Sequence, residues 1–290
     1  MTTAKLIDGK RVAQQLQQRT AERVQRIKEA TNVTPALATV LVGNDPASAK
    51  YVASKGRLCD KLGLSSVRVE LPEQTTTQQL IDKITELAND PAIHGILLQH
   101  PVPSQIDERA AFEAIPPHKD VDGVTLHSFA AMFFDLPAYE SCTPSGILKL
   151  LDAYDVPIKG RHAVVIGRSA ILGKPVAGLL LARHATVTIC HSRTQNLPDI
   201  VRQADILVAA VGKPNFVQGD WVKPGAVVID AGFNPGPKGN IGDVDFEPAA
   251  ERASLITPVP GGVGPMTLAV LVDQTAIAAA RQLDLDIETD

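Results

Sequence analysis

Short β-rich apolar runs alternate with stretches of helical period along almost the whole chain, and this alternation narrows the fold more than any other feature. From Asp8, a suitable N-cap, Val12, Leu16, Val24 and Ile27 recur at helical spacing, and Thr34-Pro35 then introduces a strand from Ala36 to Val42. The breaker cluster Gly43-Asn44-Asp45-Pro46 precedes a helix from Ser48 to Leu62, stopped by Gly63, and a strand from Val67 to Leu71. Leu80, Ile84 and Leu87 mark a third helix, and Gly95 to Gln99 a third strand. The stretch from Pro101 to Tyr139 reads as irregular, with Pro116-Pro117 and Pro137 as punctuation. The alternation then restarts with a helix at Ser145 to Tyr154, a strand at Ala163 to Ile166, a glycine-bearing turn, a helix at Lys174 to Arg183 and a strand at Thr186 to Cys190. Further strands are predicted at Ile206 to Ala209 and Val227 to Asp230, and a last apolar helix at Pro265 to Leu283. Such βα alternation builds parallel sheets covered by helices.

At 290 residues the chain exceeds what one hydrophobic core usually organises, so two α/β domains are expected. Residues 1–140 with 266–290 would form one, and 141–265 the other. The 28 Lys and Arg against 32 Asp and Glu leave a net charge of -4, which provides no basic field for a phosphate backbone, so nucleic acid is not expected as a partner. The N-terminal MTTAKLIDGKRVAQQL lacks the apolar run of a signal peptide. No stretch approaches the roughly 18 consecutive apolar residues that span a bilayer, so a cytoplasmic protein with no membrane partner is expected. Cys59, Cys142 and Cys190 have neither zinc nor redox spacing and read as reduced thiols.

The clearest chemical signal is AVVIGRSAILGKPVAGLLL at 163–181. An apolar strand runs into Gly167, the loop Arg168-Ser169-Ala170-Ile171-Leu172 follows, and Gly173 opens a helix whose free N–H groups could meet a pyrophosphate. Ser169 stands where the usual fingerprint has its second glycine, and an ordinary tight βα turn shares this pattern. The next strand ends in His191-Ser192-Arg193-Thr194, about 20 residues on, where an NAD enzyme carries a carboxylate for the ribose. Ser192 and Arg193 suit a 2′-phosphate instead, unless the turn is simply a solvated basic one. Ser48, Tyr51 and Lys55 share one helix face, either as a reactive group or as a packing Tyr beside a solvated Lys. Gln99 leaves its strand at the carboxyl end, where parallel sheets hold ligands. Asp120-Val121-Asp122-Gly123 has too few spaced oxygens for a metal, and none is expected. The stretch Thr257-Pro258-Val259-Pro260-Gly261-Gly262 forms a rigid loop that admits close backbone approach, as a ligand site or a hinge.

Taken together the motifs resemble the bifunctional methylenetetrahydrofolate dehydrogenase/cyclohydrolases. The resemblance rests on IDGK at 7–10, VGNDPAS and YVASK within 42–55, GILLQHPVP at 95–103, HKDVDG at 118–123 and CTPSG at 142–146. It continues with VVIGRS at 164–169, CHSRT at 190–194, GDW at 219–221, GDVDF at 242–246 and TPVPGGVGPMT at 257–267. It implies two α/β domains around a cleft, the second a Rossmann-like NADP-binding domain, with the C-terminal helix returning to the first, and a homodimer formed through the nucleotide-binding domains. It also implies NADP-dependent oxidation of 5,10-methylenetetrahydrofolate to the methenyl compound and hydrolysis of that compound to 10-formyltetrahydrofolate. By matching position, Lys55 would be the catalytic lysine, Gln99 its partner, and Tyr51 the aromatic over the folate. Ser48 would support the site, Asp122 would bind the pterin, and Pro260 and Gly261 would lie near the folate. Gly167, Arg168, Ser169, Gly173, Ser192 and Arg193 would face the cofactor. His100 stands where leucine is more usual, and residues 124–136 lack the family's asparagine-glycine-arginine pattern. The residues also leave open another Rossmann oxidoreductase of the shikimate or amino-acid dehydrogenase kind, or a non-enzymatic NADP-binding sensor.

Overall fold

A computed structural model describes residues 4–236 and 239–286. The chain opens with β1 (Lys5–Leu6) and α1 (Gly9–Thr31), then runs through β2 (Ala36–Val42), α2 (Pro46–Leu62), β3 (Ser65–Leu71), α3 (Thr77–Asn89) and β4 (Gly95–Leu98). Two helices follow, α4 (Glu108–Glu113) and α5 (Leu126–Phe134). Next come α6 (Cys142–Ala153), β5 (His162–Ile166), α7 (Gly173–Ala182), β6 (Thr186–Cys190), α8 (Leu197–Val201), β7 (Ile206–Ala209) and β8 (Val227–Asp230). The chain closes with α9 (Phe246–Ala250), β9 (Leu255–Ile256) and α10 (Val263–Gln282).

Two compact units result. One takes residues up to Gln14, Met132–Leu136 and Ser141–Thr267; the other takes Gln15–Ala131, Pro137–Glu140 and the chain from Leu268 on. The first unit holds a six-stranded parallel sheet in the order β1-β9-β8-β7-β5-β6, and the second a three-stranded parallel sheet in the order β3-β2-β4. Both sheets depend on buried strands: every residue of β2, β4, β7 and β8 is buried, as a parallel sheet covered on both faces requires.

The division departs from the expected boundaries at the N-terminus. Residues up to Gln14 belong to the six-stranded unit because Lys5 and Leu6 pair with Leu255 and Ile256 of β9. Gly9 adds to this attachment. A Cβ there would lie 1.8 Å from the carbonyl oxygen of Gly262, so the helix start and the glycine loop pack backbone against backbone. The far part of α10 belongs to the three-stranded unit, as expected, where Asp273 is buried against Thr20 and Arg23 of α1. This helix is long and apolar enough to cross a bilayer on those grounds alone, but most of it is buried inside the protein. The stretch expected to be irregular contains two helices, α4 and α5.

Candidate active site

In the three-stranded unit the site begins with the start of α2. Asp45 caps the helix by accepting from the Ser48 N–H at 2.7 Å, Pro46 occupies the first turn, and Gly63 ends the helix in the left-handed region at φ 81°. With both ends fixed, Ser48, Tyr51 and Lys55 fall on one face: Ser48 is buried, Tyr51 is exposed and Lys55 is half-buried. Gln99 lies one residue past β4, and its N–H continues the ladder onto the Val40 carbonyl at 2.8 Å. Its side-chain amide is oriented from both ends. Nε2 donates to the His100 carbonyl at 2.7 Å, which turns Oε1 to accept from Lys55 Nζ at 2.8 Å. The ammonium is thus held by a neutral acceptor at the carboxyl end of a parallel strand, with an aromatic ring one turn before it on the same helix face. Desolvation alone pushes the Tyr51 phenol above its ordinary range, so it serves as a neutral ring.

The two carboxylates of 120–122 differ sharply. Asp120 is fully buried and closes its own turn, accepting from the Val124 N–H at 3.1 Å, the Thr125 N–H at 3.0 Å and the Ser128 hydroxyl at 2.6 Å. Burial raises its carboxyl despite these bonds. Asp122 remains half-buried and is carried on a braced backbone. Gln274 of α10 donates to the Val121 carbonyl at 2.7 Å, and a Cβ on Gly95 would lie 2.7 Å from the Val121 side chain. Asp120 and Gln274 are positioning residues; the sequence suggested Asp120 only as half of a metal site and did not suggest Gln274, although a short carboxylate at the head of a turn signals the role of the first.

In the six-stranded unit, the chain order reverses on either side of β5, which pairs with β6 and β7, and ligands in such sheets bind beyond the carboxyl ends at this point. Gly167 follows β5 with φ 130°, and a Cβ on it would lie 2.2 Å from the Ala210 carbonyl oxygen beyond β7. Gly173 packs equally closely, since its Cβ would lie 2.3 Å from the Gly167 carbonyl oxygen. Only glycine fits either place. The Ser169 hydroxyl accepts from the Gly173 N–H at 3.2 Å and its carbonyl from the Lys174 N–H at 3.0 Å, so Ser169 also braces the first turn of α7. Arg168 and Ser169 are exposed beside it. After β6, the His191 N–H donates to the Thr194 hydroxyl at 2.9 Å while His191 Nδ1 accepts from the Arg193 N–H at 3.2 Å. This closed turn presents Ser192 and Arg193 to solvent. A glycine cradle for a pyrophosphate, followed by a turn carrying a hydroxyl and a guanidinium in place of a carboxylate, fits NADP.

The glycine-proline loop belongs to the same unit. The Thr257 hydroxyl accepts from the Asp230 N–H at 2.7 Å, the Gly262 N–H closes onto the Pro258 carbonyl at 2.8 Å, and Gly261 takes φ 114°. Pro260 is exposed at the tip, and Lys10 Cε lies 3.4 Å from where a Cβ on Gly261 would stand. Hydrogen bonding thus joins Lys55 to Gln99, whereas Asp122 is held on its own turn, and Pro260 and Gly261 belong to the unit that carries Gly167. Among the described residues no group of three or more His, Cys, Asp or Glu is arranged to hold a metal ion.

A glycine turn at the reversal point of a doubly wound sheet, with a lysine–amide pair on a second α/β unit, defines a nucleotide-dependent enzyme of the Rossmann class. The chain belongs to the tetrahydrofolate dehydrogenase/cyclohydrolase family: the catalytic domain of that family matches residues 7–122 and its NAD(P)-binding domain residues 141–283. The Bifunctional protein FolD 1 of Streptomyces avermitilis is 60% identical over 97% of this chain and 97% of its own length. The FolD methylenetetrahydrofolate dehydrogenase/cyclohydrolase of Campylobacter jejuni superposes with a TM-score of 0.94 at 40% identity, covering 96% of this chain and 99% of its own. The Trypanosoma brucei enzyme, solved with NADP and an inhibitor, gives a TM-score of 0.94 at 37% identity over 98% of this chain and 99% of its own.

Proposed function

We propose that this protein oxidises 5,10-methylenetetrahydrofolate to the 5,10-methenyl compound with NADP+ and hydrolyses the product to 10-formyltetrahydrofolate. The observation that carries the reading is the 2.8 Å bond from Lys55 Nζ to Gln99 Oε1 at the end of β4. In the first reaction the methylene carbon gives up a hydride, which the nicotinamide accepts. Gly167, Gly173 and Ser169 hold the pyrophosphate side of the cofactor, and Ser192, Arg193 and Arg168 hold its 2′-phosphate. In the second reaction a water oxygen bonds to the cationic methenyl carbon and one C–N bond breaks; one water proton passes to the departing nitrogen and the other is released to solvent, which leaves a neutral formyl product. Lys55 mediates that proton movement at Nζ while Gln99 keeps Nζ directed at the reacting carbon. Tyr51 stacks on the conjugated ring, Asp122 accepts paired N–H donors from the pterin edge, and Ser48 supports this face of α2. Pro260 and Gly261 lie near the folate.

We further infer a homodimer formed through the nucleotide-binding units. β6 is an edge strand of their sheet and carries the exposed Ile189. A reducing, cytoplasmic setting suits the three cysteines, all free thiols and all buried. One assay tests the activity: incubation with methylenetetrahydrofolate and NADP+, following the methenyl chromophore as it forms and decays. Formation with decay is expected; no formation overturns the dehydrogenase reading, and formation without enzyme-dependent decay overturns the hydrolase reading.

A further inference from the structure

We propose that Asp243 is a positioning residue for the cofactor, acting through the backbone that follows β7; the inference rests on the reading that this unit binds NADP. β7 ends at Ala209, so the N–H groups of Val211, Gly212 and Lys213 have left the ladder of the sheet. All three point to one carboxylate. Asp243 Oδ2 accepts from Val211 and, at 2.9 Å, from Gly212, while Oδ1 accepts from Lys213 at 3.0 Å and from Asn234 Nδ2 at 2.9 Å. Successive N–H groups of this kind form a concavity that attracts an anion, and here the protein supplies that anion itself.

The consequence reaches the fingerprint turn by direct packing. Ala210, immediately before the three tethered amides, presents the carbonyl oxygen against which Gly167 is fitted, 2.2 Å from where a Cβ on Gly167 would lie. The loop after β8 is fixed from the other side. A Cβ on Gly232 would lie 2.4 Å from Asp243, and the Asp243 N–H donates to Asp230 Oδ1 at 2.9 Å. Asp243 is fully buried, so it acts by holding the loops at the carboxyl ends of β7 and β8 and not by touching the cofactor. Replacement by Asn keeps the shape but turns one acceptor oxygen into an N–H group facing other N–H groups, which forces the loop to move.

The test compares native protein, Asp243→Asn and Asn234→Ala by NADPH fluorescence titration, by KM and kcat with NADP+, and by hydrolysis of methenyltetrahydrofolate without cofactor. Asp243→Asn is expected to weaken NADPH binding and raise KM for NADP+ about tenfold, with kcat at saturating cofactor and hydrolysis held within about twofold. Asn234→Ala, which removes one of the four donors, is expected to shift KM about threefold in the same direction. Unchanged KM in folded Asp243→Asn, or a fall in kcat with KM unchanged, overturns the proposal. Should Asp243→Asn not fold, Asn234→Ala decides: the expected rise supports the positioning role and an unchanged KM overturns it. Native protein that fails to bind NADPH would overturn the functional reading and this inference with it, whereas native binding with unaffected variants overturns this inference alone.

Discussion

The two units arrange their chemistry in different currencies. In the three-stranded unit the proposed reactive feature is a pair of side chains, Lys55 and Gln99, set by a capped helix and a strand end. In the six-stranded unit it is mainly backbone: glycines that must lack a Cβ, and loop amides tied to buried carboxylates. Side-chain chemistry fails when an atom is removed, whereas backbone chemistry fails when an atom is added. The contrast follows from the ligands, since a proton must be moved by a titratable group, while a pyrophosphate is held by N–H groups that every residue but proline possesses.

The sharpest way to break this contrast is truncation at Lys55. Lys55→Gln retains length and polarity but removes the proposed proton carrier, so hydrolysis of the methenyl compound should fall at least about 100-fold, the usual contribution of a general acid or base. NADPH binding should be untouched, because Gly167 and its neighbours are in the other unit. Hydrolysis near the native rate would remove Lys55 from the mechanism.

The complementary variant adds one methyl group. Gly167→Ala places a Cβ 2.2 Å from the Ala210 carbonyl oxygen at φ 130°, a conformation hostile to any side chain. Strain of about 1–3 kcal/mol corresponds to a loss of roughly 5- to 150-fold in NADPH affinity. Cofactor-free hydrolysis should remain near native. An alanine variant that binds NADPH normally would show that the turn tolerates bulk and that the cradle lies elsewhere.

The sequence was most legible where structure is local. The apolar run Ala36–Val42 is a strand over the residues read from it, because a continuous β-branched and aliphatic stretch bounded by Pro35 and Gly43 has few alternatives. The same holds for Thr186–Cys190 and for the stop at Gly63. What escaped was non-local or short. β1 and β9 have two residues each, below any periodicity, and they pair across some 250 positions of chain. Allegiance of the N-terminus to the six-stranded unit followed from that pairing and from the fit of Gly9 against Gly262, which no local pattern encodes. In α5 the apolar residues Leu126, Phe133 and Phe134 are exposed, so its pattern does not mark a buried face. The site divides in the same way: Lys55 and Gln99 were suggested by motif, but their bond spans 44 positions and depends on the His100 carbonyl orienting the amide.

A smaller effect tests whether any side chain matters at the cofactor end. The turn after β6 carries Ser192 and Arg193 and no carboxylate, so native protein should prefer NADP+ to NAD+. Charge-assisted bonds contribute about 1.5–3 kcal/mol each when well formed, but both side chains are exposed, which places the expected preference near tenfold. Ser192→Asp with Arg193→Ala should lower the ratio of kcat/KM for the two cofactors by about that factor. An unchanged ratio would leave the reading of the phosphate to backbone alone.

The smallest expected effect concerns what the buried carboxylates cost. Burial, assisted by the neighbouring Asp243, pushes the Asp230 carboxyl up to about 6, against the opposing N–H bonds from Asp243, Val244 and Gly232. In the unfolded chain it returns to about 3.9. Between these values the native state binds the proton more readily, so this group destabilises the fold when ionised at neutral pH, and the cost is relieved as pH falls through 6. Asp205 has the opposite sign: its bond to Lys223 holds its carboxyl low, and that stabilisation is lost on acidification. The contribution of Asp230 is isolated by comparing native protein with Asp230→Asn in denaturant at pH 7.5 and at pH 5. Whatever the variant costs at neutral pH, native protein should gain about 1 kcal/mol relative to it on going to pH 5. A difference that does not change with pH, or that changes in the opposite direction, would mean that Asp230 is ionised at no cost and that the loops rest on a fully solvated network.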